Sequence, residues 1–194
     1  NFNKIVNIDY EQLYVYSLVC ICTPTSTHFK YLKSCIISKV PLIICEKPIS
    51  EDLNELNILK NIYNKGNSKV LVNYIRRFQK KYLQIKNDIC LINDKIVQIN
   101  IKYHKGLLNN ASHAFDTINF LFEREFTFDQ IEIKSKKNDF FKNDPTLSLI
   151  ASSNNTLIKI DGIYTEKSIM EIEIIFNNHK AIFTDRGNEF FLYK

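Results

Sequence analysis

Glycine is scarce in this chain. Its 194 residues hold four glycines, none grouped, so no G-x-G-x-x-G loop opens a first βα turn and no phosphate cradle can be read. No apolar run approaches the roughly 18 residues that a membrane-spanning helix needs, and no basic start with an apolar stretch marks an export signal. These absences predict a cytoplasmic protein without a membrane partner. Five cysteines, Cys20, Cys22, Cys35, Cys45 and Cys90, are odd in number and lack zinc-type spacing, so reduced core residues and no metal site are expected. The net charge is +5 and the pI near 8.8, but the lysines are scattered among acidic residues and form no stripe, which argues against a nucleic-acid partner. The chain starts at Asn1 without methionine, as a fragment or a processed product would. A composition of 45% hydrophobic and 24% charged residues is that of an ordinary folded protein.

What is present follows two rhythms. Over residues 15–92, apolar runs alternate with helical patterns. "VYSLVCIC", "VPLIIC" and "KVLVNYI" carry apolar side chains on both faces, as strands covered on both sides do. Between them, Phe29, Leu32 and Ile36 recur at helical spacing after Ser26 and Thr27, the expected N-caps. Leu53, Leu56, Leu59 and Tyr63 recur after Ser50, with Glu51 and Asp52 in the first turn and Gly66 closing the helix. This is the βαβ pattern of a parallel sheet.

From residue 95 the period drops to two. "IVQINIKYH" sets Val97, Ile99, Ile101 and Tyr103 against Gln98, Asn100, Lys102 and His104; "IMEIEIIF" behaves alike. Further strands are expected at 131–137, 156–163, 180–184 and 189–193, with a hairpin turn at Asn177 and Asn178. A helix near 110–123, with Ala114, Ile118 and Leu121 in a stripe, is expected to cover the apolar face. The fold class is therefore α/β: an open parallel sheet over residues 1–93, then an α+β domain with a mostly antiparallel open sheet over residues 94–194.

In open α/β sheets, ligands bind beyond the carboxyl ends of the strands. Three such ends here carry polar clusters: "TPTSTH" (23–28), "EKP" (46–48) and "NYIRRF" (73–78), the last with Asn73, Arg76 and Arg77. Turn residues alone would also produce such clusters. In the second half, Asn109, His113 and Asp116 share one helical face, and a histidine there can act as a surface residue, a cap or a general base.

In this order and at these separations, the TP-x-x-x-H turn, "EKP", "NYIRRF" and the Gly106 to Leu121 segment resemble the Gfo/Idh/MocA family of NAD(P)-dependent oxidoreductases. The resemblance covers most of the chain and implies that the parallel sheet is an incomplete Rossmann-type sheet. It implies hydride transfer between NAD or NADP and a hydroxyl or ketone carbon of a sugar, nucleotide sugar or cyclitol. Lys47 would hold the substrate oxygen while His113 takes its proton, with Asn109 beside them. Thr23, Pro24, His28, Glu46 and Pro48 would border the cofactor, Pro48 after a cis peptide, and Arg77 would help close the site. The family's D-x-x-x-H-x-x-D pattern is met except that Asn109 replaces the first aspartate, and an amide carries no charge. The missing glycine-rich loop implies an N-terminal extension, a partner covering the first strand's open edge, or a noncatalytic pseudoenzyme acting as a binding or assembly module. Relatives also imply a homo-oligomer formed through the C-terminal sheet.

Overall fold

The computed structural model describes residues 10–194 and divides them into two compact units, one reaching to Asn73 and one running from Tyr74 to Lys194.

In the first unit, strands β1 (Leu18–Ile21), β2 (Leu42–Cys45) and β3 (Lys69–Val72) form a parallel sheet in that order. Helices α1 (Thr25–Ile37) and α2 (Leu53–Lys65) are the crossovers, which parallel pairing demands. Ile21, Ile43 and Cys45 meet Leu32, Cys35, Ile36 and Leu59 in one apolar cluster. Among the described residues, the coverage on both faces expected from the sequence is met on one face of β1 only: Ile21 is buried, while Leu18, 46% exposed, and Cys20, on the opposite face, are exposed. β1 is also an edge strand among these residues.

The caps also differ from expectation. Pro24, not Ser26 or Thr27, is the N-cap of α1, and the Thr27 hydroxyl donates back to the Pro24 carbonyl (2.8 Å). Asp52 lies outside α2 as its N-cap, accepting from the Asn54 and Glu55 amides at 2.6 and 3.3 Å, which occupies amides that the helix leaves unbonded. Of the five cysteines, only Cys35 and Cys45 are buried. Burial pushes their thiols up to about 11 and about 12, which leaves them unreactive.

The second unit opens with α3 (Lys80–Cys90) and continues through β4 (Ile96–Tyr103), α4 (Ser112–Phe122), β5 (Gln130–Lys137), β6 (Thr146–Ser153), β7 (Thr156–Gly162), β8 (Met170–Phe176), β9 (Lys180–Thr184) and β10 (Glu189–Tyr193). The seven strands lie in the order β10-β9-β8-β4-β7-β6-β5. All pairs are antiparallel except β4 with β7. Tyr82, Ile85 and Ile89 of α3 and Ala114, Ile118 and Leu121 of α4 pack on Ile99, Ile101, Ile158, Ile172, Ile174 and Phe183. A register shift between Ile96 and Gln98 buries Ile96 beside the predicted row and leaves Val97 half-buried. His104, expected on the polar face, is buried; its Nδ1 accepts from the Ile169 amide (3.1 Å). The turn at Asn177 and Asn178 joins β8 to β9, and the Phe176 amide closes it on the His179 carbonyl (2.9 Å).

Asp94 ties this turn to the start of β4. Its carboxylate accepts from the amides of Asn178 (2.7 Å) and Lys95 (2.8 Å) and faces His179 Nδ1 at 3.1 Å. Desolvation works against ionisation, but the hydrogen bonds outweigh it and hold the carboxyl at about 2, below the usual 3.9 or so. A depressed folded-state value means stabilisation that is present above the unfolded-state pKa and lost as pH falls from about 4 towards about 2. Thermal midpoints measured across that range should therefore fall more steeply for the wild type than for Asp94→Asn; parallel slopes would refute the assignment.

Candidate functional site

The carboxyl ends of the three parallel strands lie in line because the ladder runs past them. The Glu46 amide donates to the Ile21 carbonyl (2.9 Å) and the Asn73 amide to the Cys45 carbonyl (2.8 Å). Asn73 Nδ2 donates to Glu46 Oε1 (2.6 Å), which ties the carboxylate after β2 to the residue after β3. Lys47 is half-buried, the Lys47–Pro48 peptide is cis as the resemblance implied, and Pro48 is buried. Thr23 and Pro24 are exposed after β1.

His28 is 1% exposed, with Nδ1 2.7 Å from the Pro48 carbonyl and Nε2 2.6 Å from the Thr23 carbonyl. From α1 this ring joins the loop after β1 to the loop after β2. Its contribution is to hold Thr23 and Pro48 in place.

In the second unit, Asn109 lies in a π-helical turn, Leu107–Ala111, that leads without a break into α4, where His113 and Asp116 follow. π-Turns inside helices are frequent at functional sites. Asp116 is buried, and Arg77, on a short 3₁₀ turn after β3, clasps it: Nε lies 2.8 and 3.0 Å from the two carboxylate oxygens, and a terminal nitrogen is 2.6 Å from Oδ1. Burial pushes the Asp116 carboxyl up and Arg77 opposes this. Arg77 is thus held by Asp116. The imidazole of His113 meets the ring of Tyr74 edge-on, with centroids 5.9 Å apart and planes at 88°. Burial pushes the Tyr74 phenol up, with the nearby Ser112 hydroxyl and Arg77 guanidinium opposing it.

Two residues here escaped the sequence reading. One is Tyr74, inside the quoted "NYIRRF" but passed over for the arginines. The other is Asp144, 0% exposed, whose Oδ1 accepts from the Leu108 amide (2.7 Å) and whose Oδ2 accepts from both the amide (2.8 Å) and the side-chain Nδ2 (2.9 Å) of Asn109. The Asp-Pro pair at residues 144 and 145, just before a strand, was the available signal.

Chemically, the first unit offers a carboxylate, an ammonium and a threonine hydroxyl at the strand ends. The second offers an imidazole and an amide in one helical run. Among the described residues there is no cluster fit to hold a metal ion, and no helix is long and apolar enough to cross a membrane.

Residues 5–74 match the model of a family described as oxidoreductases with an NAD-binding Rossmann fold. Inositol 2-dehydrogenase 1 of Mycolicibacterium vanbaalenii is 23% identical over 79% of this chain and 49% of its own length. Inositol 2-dehydrogenase of Rhodococcus jostii is 29% identical over 56% of this chain and 33% of its own. The chain thus spans about half, or less, of these curated relatives. Among solved structures, an inositol dehydrogenase homolog from Azotobacter vinelandii, complexed with NADH and myo-inositol, has a TM-score of 0.77 at 16% identity and covers 95% of this chain and 56% of its own. A super-repressor mutant of Gal80p from Saccharomyces cerevisiae has a TM-score of 0.76 at 13% identity, covering 95% and 60%. At these identities the structures speak for the fold alone. With that family model on residues 5–74 and inositol dehydrogenases among its curated relatives, the chain is similar to the Gfo/Idh/MocA family of NAD-binding oxidoreductases.

Proposed function

We propose that this chain acts in an NAD(P)-dependent oxidoreductase on a secondary hydroxyl of a neutral polyol, with a cyclitol of the inositol type favoured over a sugar or nucleotide sugar. The observation that carries the reading is the row of polar groups at the strand ends, Thr23, Glu46 and Lys47, in loops where hydrogen bonds of His28 and Asn73 hold Thr23, Glu46 and Pro48. This is where open α/β sheets take their ligands. Donors and acceptors of this kind fit the ribose and nicotinamide side of a dinucleotide. The glycine-rich cradle for the pyrophosphate is not among these residues.

When bound, the nicotinamide supplies the hydride acceptor. Lys47 holds the substrate oxygen, because a partly desolvated ammonium stabilises a developing alkoxide. His113 accepts the hydroxyl proton, which a neutral imidazole does near neutral pH. Asn109 orients the hydroxyl, and Arg77, fixed by Asp116, braces the turn that carries Tyr74.

Calorimetric titration of the chain with NADH and with NADPH, each with and without myo-inositol, tests this reading. Micromolar binding of either nucleotide, tightened by the cyclitol, is expected. The scarcity of glycine favours a second reading, a noncatalytic binding or assembly module. A folded sample that binds neither nucleotide but self-associates would replace the first reading with the second.

A further inference from the structure

Two rungs join the short 3₁₀ turn Ile75–Phe78 to α4. The first is the clasp of Arg77 on Asp116, with Nε 2.8 and 3.0 Å from the two carboxylate oxygens and a terminal nitrogen 2.6 Å from Oδ1. The second is the edge-on contact of the Tyr74 ring with the His113 imidazole, centroids 5.9 Å apart. Their spacings match. Tyr74, the N-cap of the turn, stands three residues before Arg77, and the Arg77 amide donates to its carbonyl (3.1 Å); side chains three apart on such a turn lie one above the other. His113 stands three residues before Asp116 on α4, so these two share a face as well.

The turn does not depend on Tyr74 for its place. The Arg77 guanidinium also lies over the ring of Phe120, a further residue of α4 (6.0 Å). Arg76 reaches elsewhere, donating to the Tyr82 hydroxyl (3.0 Å) and the Arg186 carbonyl (2.6 Å). Two successive arginines thus fix the turn, and the turn brings Tyr74 to His113. An imidazole responds to such a neighbour. Its last torsion joins a tetrahedral carbon to a flat ring and has a broad well, so packing decides the plane in which the ring nitrogens lie. The Tyr74 ring, at 88° to that plane and 5.9 Å away, has the geometry in which aromatic pairs attract.

We infer that Tyr74 is a positioning residue for His113: its ring, anchored through the Arg77–Asp116 clasp, sets the plane of the imidazole and so the direction in which that imidazole meets a substrate hydroxyl. The meeting with a hydroxyl rests on the oxidoreductase reading; the hold on the ring does not.

The test labels the histidine rings with 13C and follows the ring C–H of His113, assigned by its loss in His113→Gln. An order parameter of about 0.85, that of a rigid backbone, is expected in the wild type and in Tyr74→Phe, which keeps the ring. In Tyr74→Leu, which keeps apolar bulk without a flat ring, it should fall below about 0.6. A mobile ring in the wild type would overturn the proposal, and so would unchanged order in a folded Tyr74→Leu. Should the leucine fail to fold, Tyr74→Ala makes the same comparison. In a preparation that oxidises a cyclitol, Tyr74→Leu should lower kcat about tenfold with KM nearly unchanged. Tyr74→Phe should restore the rate, and Tyr74→Leu should cost nothing further on top of His113→Ala. An equal loss in that background would overturn the action through His113. A fixed ring in a folded chain without turnover would defeat the oxidoreductase reading, while leaving the role of Tyr74 over His113 intact.

Discussion

Gly106→Ala should lose roughly 3–5 kcal/mol of folding stability, a large share of the 5–15 kcal/mol typical of a domain. Two independent effects add at this position. The backbone sits at φ +83°, and a Cβ built there would lie 2.1 Å from Asp144 Oδ2 and 2.6 Å from its Cγ. The first effect costs an L-residue about 1–3 kcal/mol. The second is larger, because Asp144 has nowhere to go. Moving its carboxyl group breaks up to three hydrogen bonds in a fully buried place and leaves polar atoms there unpaired. Urea denaturation measures the outcome. A loss below about 1 kcal/mol would mean that the corner relaxes freely and that Asp144 does not grip it. Gly66 is the useful comparison: its φ is not positive and its nearest contact is 3.4 Å, so Gly66→Ala should change stability far less.

The strand-helix alternation of the first unit and the alternating rows of β4 and β8 were legible because each rests on a period that the side chains themselves display. Where the period was diluted, the reading failed. β6 reads Thr-Leu-Ser-Leu-Ile-Ala-Ser-Ser, so small and hydroxyl side chains fill positions where an apolar row would have announced a strand. α3 buries only Tyr82, Ile85 and Ile89, a stripe too thin to stand out among lysines and polar residues. The unit boundary at Asn73 and Tyr74 falls ahead of α3, whose buried residues share the core of the second sheet; the change of period near residue 93 marks where strands resume. Cys20 and Cys22 looked buried because a sequence shows that a strand is apolar but not whether anything lies on its second face.

The candidate site divides along a similar line. "TPTSTH", "EKP" and "NYIRRF" were visible as polar groups at strand ends, since topology alone sends such ends to one edge. The roles of His28 and Asp144 were hidden because their partners are backbone atoms: two carbonyls for the histidine, and for the aspartate two amides together with one side-chain nitrogen. Backbone groups are the same at every residue, and no spacing rule reveals which of them a fold will leave in need of a side chain.

In a preparation that oxidises a cyclitol, His113→Ala should lower kcat by about 10²–10⁴ while moving KM little, as expected for a group that accepts a proton in the transition state. Lys47→Ala should lower kcat/KM by at least about 10², with both parameters affected, because an ammonium on the substrate oxygen grips the ground state and stabilises the alkoxide more strongly still. Neither change should unfold the protein. His113 and Lys47 are only half-buried, so truncating either removes little core packing. Stability and activity measured together make the assay decisive. A structural histidine at position 113 would cost thermal stability and leave the residual activity with its normal pH profile. A proton acceptor there would leave the melting temperature nearly unchanged and remove the limb of the pH–rate profile in which activity rises as the base loses its proton. Full activity in either variant would move the chemistry to other residues and leave this pair with a binding role at most.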